Sequence, residues 1–184
     1  MEYIPCQLLS YFSLWSNTQI IHKECLYNGL VEIRLATIQD KEAVLALLDE
    51  LLLEVNKKRT LTTQPSESQM KREKIFTDLL NREDVKIFVA EEDSRLLGVA
   101  DLFILPIMRR GYFAGHLEDL VVTEDSRGKG VGSALLHAVK DYCKKNNIKV
   151  MKLTSGFELE NAHKFYEKQG GVHTEKMFRF DLND

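Results

Sequence analysis

The stretch from His116 to Tyr142 restricts the fold more than any other part of the chain. HLEDLVV (His116–Val122) reads as a strand and SRGKGVG as a glycine-rich turn. Val131, Ala134, Leu135, Ala138, Val139 and Tyr142 then recur at the spacing of a helix with one buried face. IKVMKLT (Ile148–Thr154) reads as a further strand, so strand, helix and strand form one parallel crossover. The turn carries chemistry as well as direction. Glycine leaves backbone N–H groups open to a single anion, and the same amides begin a helix whose unpaired donors and partial positive charge favour a phosphate. Arg127 and Lys129 add full charges around Gly128, Gly130 and Gly132. Taken alone, the segment also suits a turn that only starts a helix. Two other phosphate motifs do not fit. A Walker loop needs Gly-Lys followed by Ser or Thr, whereas Lys129 precedes Gly130, and a dinucleotide fingerprint counted from Gly128 needs glycine where Ser133 stands.

Around this unit the pattern is regular. VEIRLA from Val31 reads as a first strand. Thr37 then caps a helix in which Val44, Leu45, Leu48, Leu51, Leu52 and Val55 repeat at helical spacing, to about Asn56. Residues 57–65 read as a polar, basic loop, and Ser66 with Gln69 has the spacing of a capping box ahead of Ile75, Phe76, Leu79 and Leu80. VKIFVAEE and LLGVADLFIL form a hairpin across Asp93–Arg95, closed by Pro106 and followed by a loop through Gly115. Ala162, Phe165 and Tyr166 mark one face of a short helix ending at Gly170–Gly171, and residues 172–182 read as the last strand or strands. The order predicts an α/β (α+β) fold. Its mixed, mostly antiparallel sheet has six to seven strands and about four flanking helices, with a parallel pair between the fourth and fifth strands.

A length of 184 residues suits one domain, and a formal net charge of -3 gives no general reason to bind nucleic acid. Cys6, Cys25 and Cys143 are scattered and form no CxxC pair, so we expect no metal site and free thiols in a reducing cytoplasm. No apolar run reaches the ~18 residues of a membrane span. Residues 1–30, with the aromatic-rich run Leu8–Trp15, lack the basic start and cleavage site of a secretory signal. They read as an N-terminal extension: either it docks on the domain or a partner, or it is upstream sequence joined to a start near Val31. The domain itself is read as 31–184.

EIRLAT, HLEDLVV, SRGKGVGSALL and AHKFYEKQG occur in that order, and with them residues 31–184 resemble the GNAT superfamily of N-acetyltransferases, whose pyrophosphate loop has the pattern R/Q-x-x-G-x-G/A after the fourth strand. The resemblance implies the GNAT fold, with the parallel strands splayed, and acetyl-CoA as co-substrate. Arg127, Gly128, Lys129, Gly130, Val131, Gly132 and Ser133 would hold the pyrophosphate, and a backbone N–H near Leu120, Val121 or Val122 would face the thioester carbonyl. Asn161 would meet the pantetheine arm, although family members carry that asparagine seven residues before the tyrosine, where Leu159 stands here. Glu118 matches the carboxylate that takes the amine's proton, with Asp119 expected to face the other way. His116 shares the face of Glu118 and is a second candidate base. Tyr166 matches the tyrosine that protonates the leaving thiolate. From the residues alone, Glu118 also suits an exposed strand carboxylate and Tyr166 a core aromatic.

GHLEDLVV with RGKG is similar to glucosamine-phosphate and polyamine acetyltransferases, and AHKFYEKQG with the terminal FRF to aminoalkylphosphonate-type members. Lys57, Lys58, Arg59, Arg109 and Arg110 would favour an anionic amine if they face the site. Asp101, Glu118, Asp119, Glu158 and Glu160 would favour a polycationic one. The leading expectation is a small-molecule amine acetyltransferase acting as a homodimer. Its alternatives are a protein lysine or N-terminal acetyltransferase and a non-catalytic acyl-CoA binding module.

Overall fold

A computed structural model of the chain describes residues 20–26, 29–59, 69–180 and 182. Alternating apolar positions give the strands β1 (Ile20–Leu26), β2 (Gly29–Leu35), β3 (Val85–Glu92), β4 (Arg95–Ile107), β5 (Tyr112–Val122) and β6 (Val150–Leu153). The helices are α1 (Lys41–Arg59), α2 (Gln69–Leu80), α3 (Val131–Lys145) and α4 (Glu160–Lys168). The strands lie in one sheet in chain order. Each neighbouring pair is antiparallel except β5 and β6, which run parallel through the α3 crossover. The expected fold class is therefore the observed one.

Two cores sandwich the sheet. On one face Val131, Ala134, Leu135, Ala138 and Val139 of α3 pack on Ile33, Phe88, Ala100, Leu102 and Leu117. On the other, Val44 and Leu47 of α1 and Phe76 of α2 pack on Val85, Ile87, Val89, Val99 and Val121. One ion network pins the entry to α1. Arg34 donates to both carboxylate oxygens of Asp40 at 2.7 Å and to Glu91, and Asp40 also accepts the Thr37 backbone N–H.

Several boundaries differ from the sequence reading. The sheet begins at Ile20, inside the segment read as an extension; IIHKECL is too polar to announce a strand, and its pairing with β2 supplies the missing order. Residues 1–19 and 60–68 lie outside the described residues. The hairpin turns on Asp93 and Ser94, both at positive φ (48° and 64°), as a tight two-residue connection demands. Pro106 does not close it: β4 runs on to Ile107 and β5 starts at Tyr112. Beyond Phe103 one edge of β4 has left β3, so the missing N–H of Pro106 interrupts no inner ladder. Residues 171–180 form no strand, contrary to expectation. Phe178, Phe180 and Leu182 keep a two-residue period but are exposed, with no ladder beside them.

Candidate active site

The site is built where β5 changes partners. Its register with β4 is regular up to Leu117↔Leu102 and resumes at Leu120↔Ala100, so Glu118 and Asp119 together stand opposite Asp101. This is a β-bulge, and it resets the alternation of side chains. Leu117 and Leu120 both pack toward α3, Val121 packs toward α1, and Asp119 lines the α1–α2 side with Asp101. Asp119 thus does not face away from the site as regular alternation requires. On its other edge β5 pairs with β6 only from Ala114↔Val150 to Leu117↔Leu153. Among the described residues that edge has no neighbouring strand from Glu118 to Val122, because β6 ends at Leu153, which leaves an open wedge beside the unpaired stretch of β5.

The turn after β5 lies at the mouth of the wedge. Gly128 and Gly130 have φ of 73° and 98°, a region where a side chain is strained, and a Cβ on Gly128 would meet open space. Gly130 is the N-cap of α3, and no side chain caps the helix, so the amides of Val131, Gly132 and Ser133 point outward without a side-chain acceptor. Gly132 differs from the other two glycines: a Cβ there would make only ordinary contact with Val122 and the Phe165 ring. Lys129 is exposed beside the turn. Arg127 is turned the other way. Its guanidinium pairs with Glu54 of α1 at 2.8 Å and donates from Nε to the carbonyl of Val122, bracing the end of β5. Ser133 Oγ accepts a hydrogen bond from Gln169 after α4.

α4 closes the wedge with Phe165 and Tyr166, whose rings meet edge to face at 5.3 Å. Gly170 supplies the positive φ (86°) that stops the helix, and the Gly171 N–H returns to the Tyr166 carbonyl. Burial, and after it the charge of Asp119, holds the Tyr166 phenol above its ordinary value. Asn161 is exposed on the first turn of α4. Glu118 is 58% exposed and lies 3.0 Å from His116 Nε2, as the shared face implies.

On the other side of the bulge lies a cavity of about 130 Å³ walled by α1, α2 and the sheet. Two acids define its floor. The Asp119 backbone N–H donates to Asp101 Oδ1 at 2.7 Å. Burial, then the Asp119 charge, pushes Asp101 up to about 7, and burial followed by the Glu118 charge raises Asp119. Sequence reasoning gave Asp101 only as one of five carboxylates. The available signal was an acid inside the apolar run LLGVADLFIL, where an unpaired charge is expensive. The loop cations are elsewhere. Arg109 and Arg110 occupy the far turn between β4 and β5, and Arg109 is near enough to help lower Glu175 in the tail. Lys57 is exposed at the end of α1, and the side chains of Lys58 and Arg59 lie outside the described residues. Among the described residues no cluster of His, Cys, Asp and Glu could hold a metal, and no helix is long and apolar enough to cross a membrane.

This arrangement can hold an anion at the turn and an extended chain along the open edge of β5, with acids and a phenol close to where the two would end. Known proteins resemble this chain in sequence and fold. The profile of the Acetyltransferase (GNAT) family matches residues 48–171. A glucosamine 6-phosphate N-acetyltransferase of Trypanosoma brucei brucei is 37% identical over 53% of this chain, which spans 65% of that enzyme, just under two thirds. An aminoalkylphosphonate N-acetyltransferase of Salmonella typhimurium is 27% identical over 81% of this chain and 88% of its own. The crystal structure of a Trypanosoma brucei acetyltransferase superposes with a TM-score of 0.66 at 28% identity, covering 83% of this chain and 99% of that one. With a family profile matched over residues 48–171, most of the chain, the protein belongs to the acetyltransferase (GNAT) family and is an N-acetyltransferase.

Proposed function

We propose that the protein transfers the acetyl group of acetyl-CoA to the primary amine of a small molecule by direct attack, both substrates being bound together. The observation that carries this reading is the unpaired edge of β5 beyond Leu117 together with the start of α3, which no side chain caps; Tyr166 would stand at the inner end of that edge. Gly128 to Ser133 would hold the pyrophosphate through backbone amides. The free edge of β5 from Leu120 to Val122 would pair with the amide-bearing arm and offer an N–H to the thioester oxygen. Lys129 adds charge at the turn, Arg127 holds the turn's approach through Glu54 and Val122, and Asn161 lies where it could reach the outer arm.

Bound acetyl-CoA supplies a thioester carbonyl, at which a C–N bond forms as the C–S bond breaks. The ammonium first gives one proton to a carboxylate and so to water; as the C–S bond breaks Tyr166 gives its proton to the thiolate, and the second proton of the acylated nitrogen restores the phenol. Glu118 with His116 is the solvent-facing acceptor that family likeness indicates. A second reading gives the first proton to Asp101. Its burial and its value of about 7, close to working pH, favour that reading.

The relatives named for glucosamine 6-phosphate and aminoalkylphosphonate support a small-molecule acceptor. The buried, free Cys143, with its thiol pushed up to about 11, suits a reducing cytoplasm, and the exposed Phe178 and Phe180 suit a homodimer. Thiol release from acetyl-CoA across aminosugar phosphates, aminophosphonates, alkylamines, polyamines and lysine peptides tests the reading. Turnover on one small-molecule class is expected; turnover on peptides alone, or cofactor binding without turnover, would overturn it.

A further inference from the structure

The cavity beside Asp101 is walled mainly by hydrocarbon. Val44, Leu48, Phe76 and Leu79 from the two helices and Val99 from β4 leave Asp101, Asp119 and Arg72 as the only polar lining among the described residues. Arg72 is already committed: it pairs with Asp49 at 2.5 Å and donates to the Leu45 carbonyl. Among the described residues no cation pairs with Asp101 or Asp119, and the groups that act on them electrostatically are each other and Glu118. A negative, desolvated floor under an apolar vault is a poor place for a phosphate and a good one for an ammonium. Six residues of β4, about 20 Å of strand, separate Asp101 from Ile107, where the turn bearing Arg109 and Arg110 begins.

We propose that the acceptor is a primary amine on a compact apolar body, its ammonium seated between Asp101 and Asp119 and its hydrocarbon filling the cavity between α1, α2 and the sheet. The inference rests on the acetyl-transfer reading and narrows its substrate class. Volume sets the size of the body: an apolar cavity of about 150 Å³ takes up benzene, and this one measures about 130 Å³. A single small ring or a branched chain of similar bulk fits the apolar vault. The position also suits the reaction, because Asp119 is close enough to act on the Tyr166 phenol. The acid pair is thereby linked electrostatically to the group proposed to protonate the thiolate.

The test is equilibrium binding by calorimetry at pH 7.5, on the full chain with and without coenzyme A, using benzylamine, benzyl alcohol and glucosamine 6-phosphate as probes. Benzylamine is expected to bind about tenfold or more tighter than either of the others. Asp101→Asn should remove most of its advantage over the alcohol, and Val44→Phe, which fills the cavity, should weaken both aromatic probes together. The ligand comparison needs no variant, so a misfolded mutant leaves it standing. Equal binding of amine and alcohol, or tighter binding of the sugar phosphate, would overturn the inference. Thiol release is read in parallel. Benzylamine binding as expected with no acetylation of any amine supports the amine site and sinks the transfer reading. Acetylation of glucosamine 6-phosphate with no benzylamine binding does the reverse.

Discussion

The backbone N–H of Asp119 donates to Asp101 Oδ1 at 2.7 Å, so that a bulge in β5 holds two carboxylates on one buried floor. The bond eases the charge on Asp101 but does not offset burial and the neighbouring acids, which leave it at about 7 against an ordinary 3.8. The unfolded chain therefore releases this proton at lower pH than the folded one, and stability falls as pH rises between those two values. Asp101→Asn should raise stability at pH 8 by up to about 4 kcal/mol, the ceiling set by about 1.4 kcal/mol for each tenfold difference. It should change little at pH 4, where the folded wild type is already protonated. Urea melts at the two pH values decide; an equal effect at both would remove the carboxylate's charge from the account.

Rate should report on the same group differently. If Asp101 takes the amine's proton, the acid limb of kcat/KM near pH 7 disappears in Asp101→Asn and persists in Glu118→Gln. If Glu118 takes it, Glu118→Gln lowers kcat/KM and Asp101→Asn does not. A pH–rate profile of both variants with one good acceptor separates them.

Tyr166→Phe removes one hydroxyl and keeps the ring that packs on Phe165. We expect kcat for thiol release to fall about a hundredfold, with little change in KM for acetyl-CoA or in the urea midpoint. A stability loss with unchanged kcat would return Tyr166 to a core aromatic.

Gly130→Ala forces a side chain into φ of 98°, at a cost of about 1–2 kcal/mol. It also displaces the amides that open α3, so coenzyme A affinity should fall by more than stability alone accounts for. Gly132→Ala meets only ordinary contacts, and its stability cost should be the smaller of the two. Titration of coenzyme A into both variants, with thermal melts, tests the ranking.

Arg34→Met would strand Asp40, which is 8% exposed, without its bidentate partner. Breaking such a pair costs about 3–5 kcal/mol. In the wild type, burial pushes Asp40 up, but the hydrogen bonds from Arg34 and Thr37 together outweigh it and hold the carboxyl below its ordinary value. The network therefore stabilises above pH ~4 and loses its contribution as pH falls through that depressed value. The gap between wild type and variant should be wider at pH 7 than at pH 3 in denaturant titrations.

Much of this was legible in the residues because local signals agreed. The glycine turn, the face of α3 and the α4 helix each follow from spacing, and together they gave the parallel crossover; the splay of its strands was implied only by the family resemblance. The bulge was not legible. Nothing in HLEDLVV marks which residue is extra, because that depends on β4 as partner, and without it Asp119 is assigned to the wrong face. Arg127 illustrates a second limit: its charge suggested an anion, but Glu54, distant in sequence and close across α1, claims it. β1 was hidden because its polar alternation becomes a strand only against β2. The tail was overread, since a two-residue period in Phe178, Phe180 and Leu182 needs a neighbouring edge to become a strand.

The parting of β5 and β6 also governs how the molecule comes apart. Among the described residues four residue pairs form the backbone ladder tying β6 to the sheet, and α4 and the tail follow β6 in the chain. The inner strands β2 to β4, by contrast, are laced on both edges. The C-terminal end is thus joined to the sheet by a short hinge and held to α3 by side-chain contacts such as Gln169 to Ser133, and local opening has a built-in place to start. Anything lying in the wedge acts as a splint across that hinge, so ligand occupancy and the protein's resistance to unfolding are set by the same missing rungs.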